Sequence, residues 1–188
     1  MYVTDRFAQV AVAVGRIVIG VIFLWAGLEK LLGSGSDGFT AAGFLQFGTN
    51  GTLGWPFVSG EVVEGTVFNP THGFWAGLGT NGSIMPIVNF LVVAGQIGIG
   101  TGLILGLFTR FAAVMGTLMM IFFFFAAWEF EFGIVNQHLT YAVVTFGLAV
   151  VGAGNYFGLD AALGSSFPKG FRDWFMSGEP RTEMPATA

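Results

Sequence analysis

The sequence predicts an all-α integral membrane protein: a bundle of four transmembrane helices with a long, aromatic-rich outer loop between the first and the second. Apolar runs at 87–107 and 111–128 each hold about the twenty residues that a helix needs to cross the hydrocarbon core, and only Phe108-Thr109-Arg110 joins them. So short a joint permits only an antiparallel hairpin. Composition agrees: of 188 residues, 54% are hydrophobic and 10% charged, against roughly 25% charged in a water-soluble domain. The net charge of -4 comes mainly from acidic residues in loops and tail, so no nucleic-acid partner is expected.

The first span is expected at about 10–32. Its apolar run is too long for a cleavable signal, and no convincing small-residue site follows it. Arg16, Gly20, Phe23, Gly27 and Lys30 recur at steps of four, three, four and three, which places them on one helix face. A face with a cation near each end and glycines between is expected to point into the bundle. Arg16 reads as an anchor or packing residue that snorkels to the near interface.

The connector 33–85 is too aromatic to be disordered, with Phe39, Phe44, Phe47, Trp55, Phe57, Phe68, Phe74 and Trp75. It reads as a folded cap at the membrane–water interface, where ring bodies sit among acyl chains. A short amphipathic helix is expected at 38–47, with turns at 54–57 and 69–73.

Within the hairpin, Gly98, Gly102 and Gly106 recur every fourth residue after Ala94. Such a ribbon of small residues lets another helix backbone approach closely. Leu103, one position off the ribbon, is expected to matter less. A second short connection, 129–133, leads to the fourth span at about 136–157, whose entrance is polar and which Gly152-Ala153-Gly154-Asn155 ends. Residues 1–160 thus form a single membrane domain. Beyond it, 161–188 reads as an interfacial segment rich in Phe, Trp and cations, then a flexible cytoplasmic tail from Ser177 onward.

Arg6, Arg110, Lys169, Arg172 and Arg181 fall on the side shared by both termini and the hairpin joint. Asp37, Glu61, Glu64, Glu129 and Glu131 fall on the other, with Lys30 alone among cations close to it. The positive-inside rule then puts both termini in the cytoplasm of a multi-pass plasma-membrane protein. Arg110 is expected to meet water or lipid phosphate.

Several residues could carry chemistry. Glu29 and Lys30 end the first span, Glu129 and Glu131 follow the third, 136–138 open the fourth, and the cap brings His72. Gln96 lies near mid-membrane. Buried ionisable residues in a span are costly and so mark function by default. Plainer readings stand beside them: Lys30 as a helix-end anchor, His138 as a helix-end hydrogen-bonding residue, Gln96 as an interhelical hydrogen bond. The absence of cysteine excludes thiolate-ligated iron–sulfur clusters and thioether-linked haem. No spacing suggests a metal site, and two isolated histidines argue against haem.

Arg16-x3-Gly20-x2-Phe23-x3-Gly27-x2-Lys30, the run from Gly102 to Arg110, and Gly152-Ala-Gly-Asn-Tyr-Phe-Gly-Leu-Asp160 together resemble the DoxX/DoxD family. The resemblance covers 16–160 but not the long cap or the tail. It implies a four-helix membrane bundle. It also implies a role like that of the DoxD-like small subunit of thiosulfate:quinone oxidoreductase, also described within a terminal quinol oxidase complex. On that footing the chain is expected to be a quinone-interacting membrane subunit of a respiratory oxidoreductase. Its partners would be the lipid bilayer and other subunits of a membrane redox complex, with no haem or iron–sulfur cluster of its own. The quinone type stays open. No catalytic motif transfers from the family. Position and chemistry nominate Lys30, Glu129 and His138 as catalytic residues, and Gln96, Lys30 and Trp128 as quinone contacts. The competing class is a non-catalytic structural or assembly subunit. A small-solute permease is disfavoured by the lack of internal repeats.

Overall fold

A computed structural model describes residues 4–33, 38–53, 66–130 and 133–177. The turn expected at 54–57, the acidic residues Asp37, Glu61, Glu64 and Glu131, and 178–188 with Arg181 lie outside the described residues. Helices dominate: α1 (Arg6–Leu32), α2 (Ala42–Phe47), α3 (His72–Thr80), α4 (Met85–Leu105), α5 (Thr109–Ala127), α6 (Gln137–Val150), α7 (Leu159–Leu163) and α8 (Lys169–Phe175). Two-residue strands β1 (Thr52–Leu53) and β2 (Glu129–Phe130) pair in parallel, Thr52 opposite Glu129.

Among the described residues, α1, α4 and α5 are long and apolar enough to cross a membrane. The fourth run yields only 14 helical residues, about 21 Å at 1.5 Å per residue. The helix stops because Gly152 turns left-handed at φ 63° and a 3-10 turn follows over Ala153–Asn155. This is where the Gly-Ala-Gly-Asn stretch was expected to end it, short of 157.

The chain divides into two compact units. One comprises 1–26, 96–116 and 144–188; the other comprises 27–95 and 117–143.

In the first unit, Arg16, Gly20 and Phe23 are buried, as the inward-facing stripe requires. The glycine ribbon is borne out in part: a Cβ on Gly102 would lie 3.0 Å from that of Ala112, and one on Gly106 would lie 2.6 Å from the Gly158 Cα, but Gly98 is not at a close approach. A Cβ on Gly98 would meet open space, and Gly106 is a helix terminator. A close approach that the ribbon did not include joins Gly20 and Gly100: a Cβ on Gly100 would lie 2.7 Å from the Gly20 carbonyl oxygen and collide with the Leu24 backbone. A Cβ on Gly20 would fall 2.8 Å from Ile104 Cγ1. Glycines at these two positions let α1 and α4 touch backbone to backbone. Leu103 is fully buried rather than peripheral.

In the second unit, Ala41, Leu45 and Met85 form a small core with Phe39, Ala42, Trp75, Leu78 and Val88 around it. The expected helix at 38–47 forms over its second half as α2. It packs on α3, which periodicity alone did not announce. Gln46 Nε2 donates to the Gly79 carbonyl at 2.9 Å, and Asn89 Oδ1 accepts the Ala41 N–H at 2.9 Å.

Candidate functional site

Two clusters of polar side chains stand out, one in each unit. In the second unit, α5 ends at Ala127 and Trp128 takes a left-handed conformation, φ 51°. Non-glycine residues adopt this region at a cost and need support from their surroundings. Support comes from both sides. The Trp128 N–H donates to the Phe124 carbonyl, and its own carbonyl accepts the Thr52 N–H of β1, both at 3.0 Å. The Trp128 ring sits 5.0 Å from Phe130, 6.3 Å from Phe125 and 6.5 Å from Phe124. Gly51, itself at φ 79°, passes so close that a Cβ would lie 3.0 Å from that of Trp128.

Chain reversal at Trp128 sets Glu129 beside the start of α6. The Glu129 backbone carbonyl accepts Asn136 Nδ2 at 3.1 Å, while Asn136 Oδ1 accepts the Leu139 N–H at 3.0 Å. Asn136 therefore caps α6 and ties it to β2. His138, half-buried on the first turn, meets Phe123 edge-on at 6.0 Å. It lies near enough to the exposed Glu129 carboxylate for their charges to interact. Lys30, half-buried in the last turn of α1, stands 5.9 Å over the Phe39 ring and interacts electrostatically with Glu29. Thus Trp128, Glu129 and His138 share one cluster, and Lys30 belongs to the same unit.

Gln96 belongs to the first unit. Its side chain is buried, and Oε1 has no hydrogen-bond partner. An orphaned buried acceptor of this kind is met by an ordered water or a ligand donor.

The sequence alone did not find the clasp that holds this second unit together. Asn69, buried, donates through Nδ2 to the Phe125 and Ala126 carbonyls, both at 3.0 Å, at the open end of α5. Its Oδ1 accepts the Thr71 N–H at 2.8 Å, an Asx turn of the kind the Asn-Pro-Thr run favours. Nearby, the buried Thr49 hydroxyl donates to the Leu45 carbonyl at 2.9 Å. Having one proton, it must accept from His72 Nδ1, also at 2.9 Å. With the hydroxyl proton on the Leu45 carbonyl, that contact uses the Nδ1–H tautomer of His72.

The first unit holds a denser polar knot around the joint between α4 and α5. Gly106, at φ 65°, ends α4; its N–H donates to Leu103 and the Leu107 N–H to Gly102. This paired bonding is the Schellman arrangement. Arg16 does not snorkel. It is fully buried. Its Nη1 donates to the Leu103 and Ile104 carbonyls at 2.7 and 3.4 Å, and its Nη2 to Phe157 and Tyr156 at 3.3 and 3.4 Å. The last carbonyls of a helix lack intrahelical partners and carry partial negative charge, which is why a guanidinium is stable there.

Asp160, also buried, does the converse. Oδ1 accepts the Phe108 N–H at 2.8 Å, and Oδ2 accepts those of Thr109 and Ser177 at 3.1 Å. Ser177 Oγ adds a further donation to Oδ2 at 3.1 Å and accepts the Gly154 N–H at 2.8 Å. Ser177 is therefore buried and locked, not the start of a frayed tail. Arg110 likewise departs from expectation: its Nη1 donates to the Asp173 backbone carbonyl, so water and lipid are not its only partners. The signal for this knot was present in the residues that carry the resemblance, because Arg16, Thr109 and Asp160 are polar positions set among glycines. Their mutual contact could not be read from spacing.

A family model described as DoxX matches residues 11–129, more than half of the chain. The matched stretch contains Arg16, Lys30, Gln96, Thr109 and Trp128 and stops before the Gly152–Asp160 motif. No curated protein and no solved structure matches the chain.

Proposed function

Because the chain belongs to the DoxX family, we propose that it is a quinone-interacting membrane subunit of a respiratory oxidoreductase, serving the oxidation of thiosulfate or a related sulfur compound. On this reading it crosses the plasma membrane four times with both termini in the cytoplasm. The observation that carries the reading is the Trp128–Phe130 ring cluster, beside which Asn136 ties the Glu129 backbone to the start of the helix that carries His138. A quinone headgroup is flat and apolar on its faces and carries two acceptor oxygens at its edges. Trp128 offers a ring face, His138 and Lys30 offer donors, and Glu129, exposed, connects to water.

A bound quinone supplies a two-electron, two-proton acceptor. The chain's own part is to orient that headgroup and to move protons, with His138 as a donor and the exposed Glu129 as a link to solvent. Electrons come from a partner subunit.

The test is purification from native membranes followed by quinone-reductase assays on the intact complex. Co-purification with a flavin- or haem-bearing subunit, and loss of turnover in His138→Gln with assembly unchanged, are the expected results. Unchanged turnover in correctly assembled His138→Gln and Lys30→Met variants would sink the quinone site and leave the structural-subunit reading ahead.

A further inference from the structure

Helix α8 divides its surface in three. Arg172 and Met176 are buried, and Arg172 Nη1 donates to the Gly164 carbonyl at 3.3 Å. Phe171, Trp174 and Phe175 lie along one flank; Lys169 and Asp173 lie along the other, both exposed. Trp174 is 78% exposed, which in water would be a costly use of the largest apolar side chain.

What covers this flank follows from its surroundings. Phe175 packs against Phe111 at 5.5 Å, and Phe171 against Phe108 at 5.8 Å. Phe108 immediately precedes α5, one of the spans, and Phe111, on its first turn, begins an exposed apolar stripe that continues through Val114. The aromatic flank of α8 is thus continuous with a surface that faces acyl chains. Arg110, on the same first turn, donates to the Asp173 carbonyl and so fixes α8 at the level where the span begins. Arg110 and Lys169 bring cations to that level.

We propose that α8 docks on an anionic phospholipid surface. Phe171, Trp174 and Phe175 enter the boundary between headgroups and acyl chains, where aromatic rings are favoured. Lys169 and Arg110 meet lipid phosphates, an attraction of a kind that strengthens with anionic lipid. The proposal rests on the membrane assignment and not on the quinone reading.

The chain lacks cysteine, so single thiol labels report cleanly. The full chain would be reconstituted in phosphatidylcholine vesicles, with or without phosphatidylglycerol, carrying a fluorophore at Trp174→Cys or Asp173→Cys. Quenching by acrylamide, a neutral aqueous quencher, should be several-fold weaker at 174 than at 173. Phosphatidylglycerol should weaken it further at 174, and Lys169→Gln should remove that additional protection. Equal quenching at both positions would overturn the docking. An effect of phosphatidylglycerol that is absent, or that survives Lys169→Gln unchanged, would overturn the anionic preference. Shielding of 174 seen only while another protein remains bound would assign the face to that protein and also overturn the proposal.

Discussion

Arg16 and Asp160 close the two halves of one helix–helix joint. Arg16 Nη1 reaches the Leu103 carbonyl at 2.7 Å where α4 ends, and Asp160 Oδ1 accepts the Phe108 N–H at 2.8 Å where α5 begins. A cation therefore sits on the negative end of one helix dipole and an anion on the positive end of the next. Each residue satisfies backbone groups that no helix can satisfy for itself, in a place where water is scarce.

Removing both charges should cost less than the two single losses added together. Arg16→Met deletes four carbonyl contacts and the cation whose charge interacts with the buried Asp160, at about 1–3 kcal/mol for each buried group left unsatisfied. Asp160→Asn should cost less, since its amide oxygen still accepts backbone N–H groups. Thermal unfolding in detergent should show the double variant less destabilised than the sum of the singles. Strict additivity would mean that the two residues do not act together.

The glycines separate in the same way. Gly100→Leu should abolish folded protein, because its side chain would enter the Leu24 backbone. Gly98→Ala should be tolerated, since its Cβ points into open space. Yield of monodisperse protein after solubilisation measures both, and equal losses would refute the Gly20–Gly100 approach as the constraint.

Asn69→Ala should loosen the second unit without unfolding the first. It leaves the Phe125 and Ala126 carbonyls short of a donor, at about 1–3 kcal/mol for such unsatisfied groups. Faster amide exchange in α3, with the Thr109–Gly116 turns of α5 unchanged, is the expected outcome. Uniform acceleration across the chain would count against a local clasp.

Orientation can be read with impermeant thiol reagents at exposed positions. Ser83→Cys should label from outside intact cells and Ser165→Cys should not. Both side chains are exposed, whereas Ser177 is buried and would stay unreactive on either side. Labelling of Ser165→Cys alone would invert the topology.

The three long helices were legible because uninterrupted apolar length is a one-dimensional signal, as in 87–107 and 111–128. The inward stripe of α1 was legible for the same reason, since Arg16, Gly20 and Phe23 obey a single helical period. What stayed hidden was pairwise. Gly98 and Gly100 look alike in sequence, and only the partner Gly20 distinguishes them. Arg16 looked like a snorkelling cation because nothing in the chain before it advertises the carbonyls at 103–104 and 156–157. Asp160 lies 51 residues from the Thr109 N–H that it accepts, and no local pattern spans that distance. At the candidate site, Glu129 and His138 were brought together by chain topology, since a short connection leaves them few places to go. The left-handed turn at Trp128 had no such signal.

The joint between α4 and α5 also sets a timetable for biosynthesis. Its hairpin is translated by about the Ala127 codon, but the carbonyls at 156–157, the Asp160 carboxylate and Ser177 are made only later, after α6. Until then the buried Arg16 lacks half of its acceptors, and the first N–H groups of α5 lack their anion. The hairpin can insert early, yet its turn is sealed only after α6 has been made. A ribosome stalled before Gly158 would therefore hold a hairpin whose joint is still unlatched.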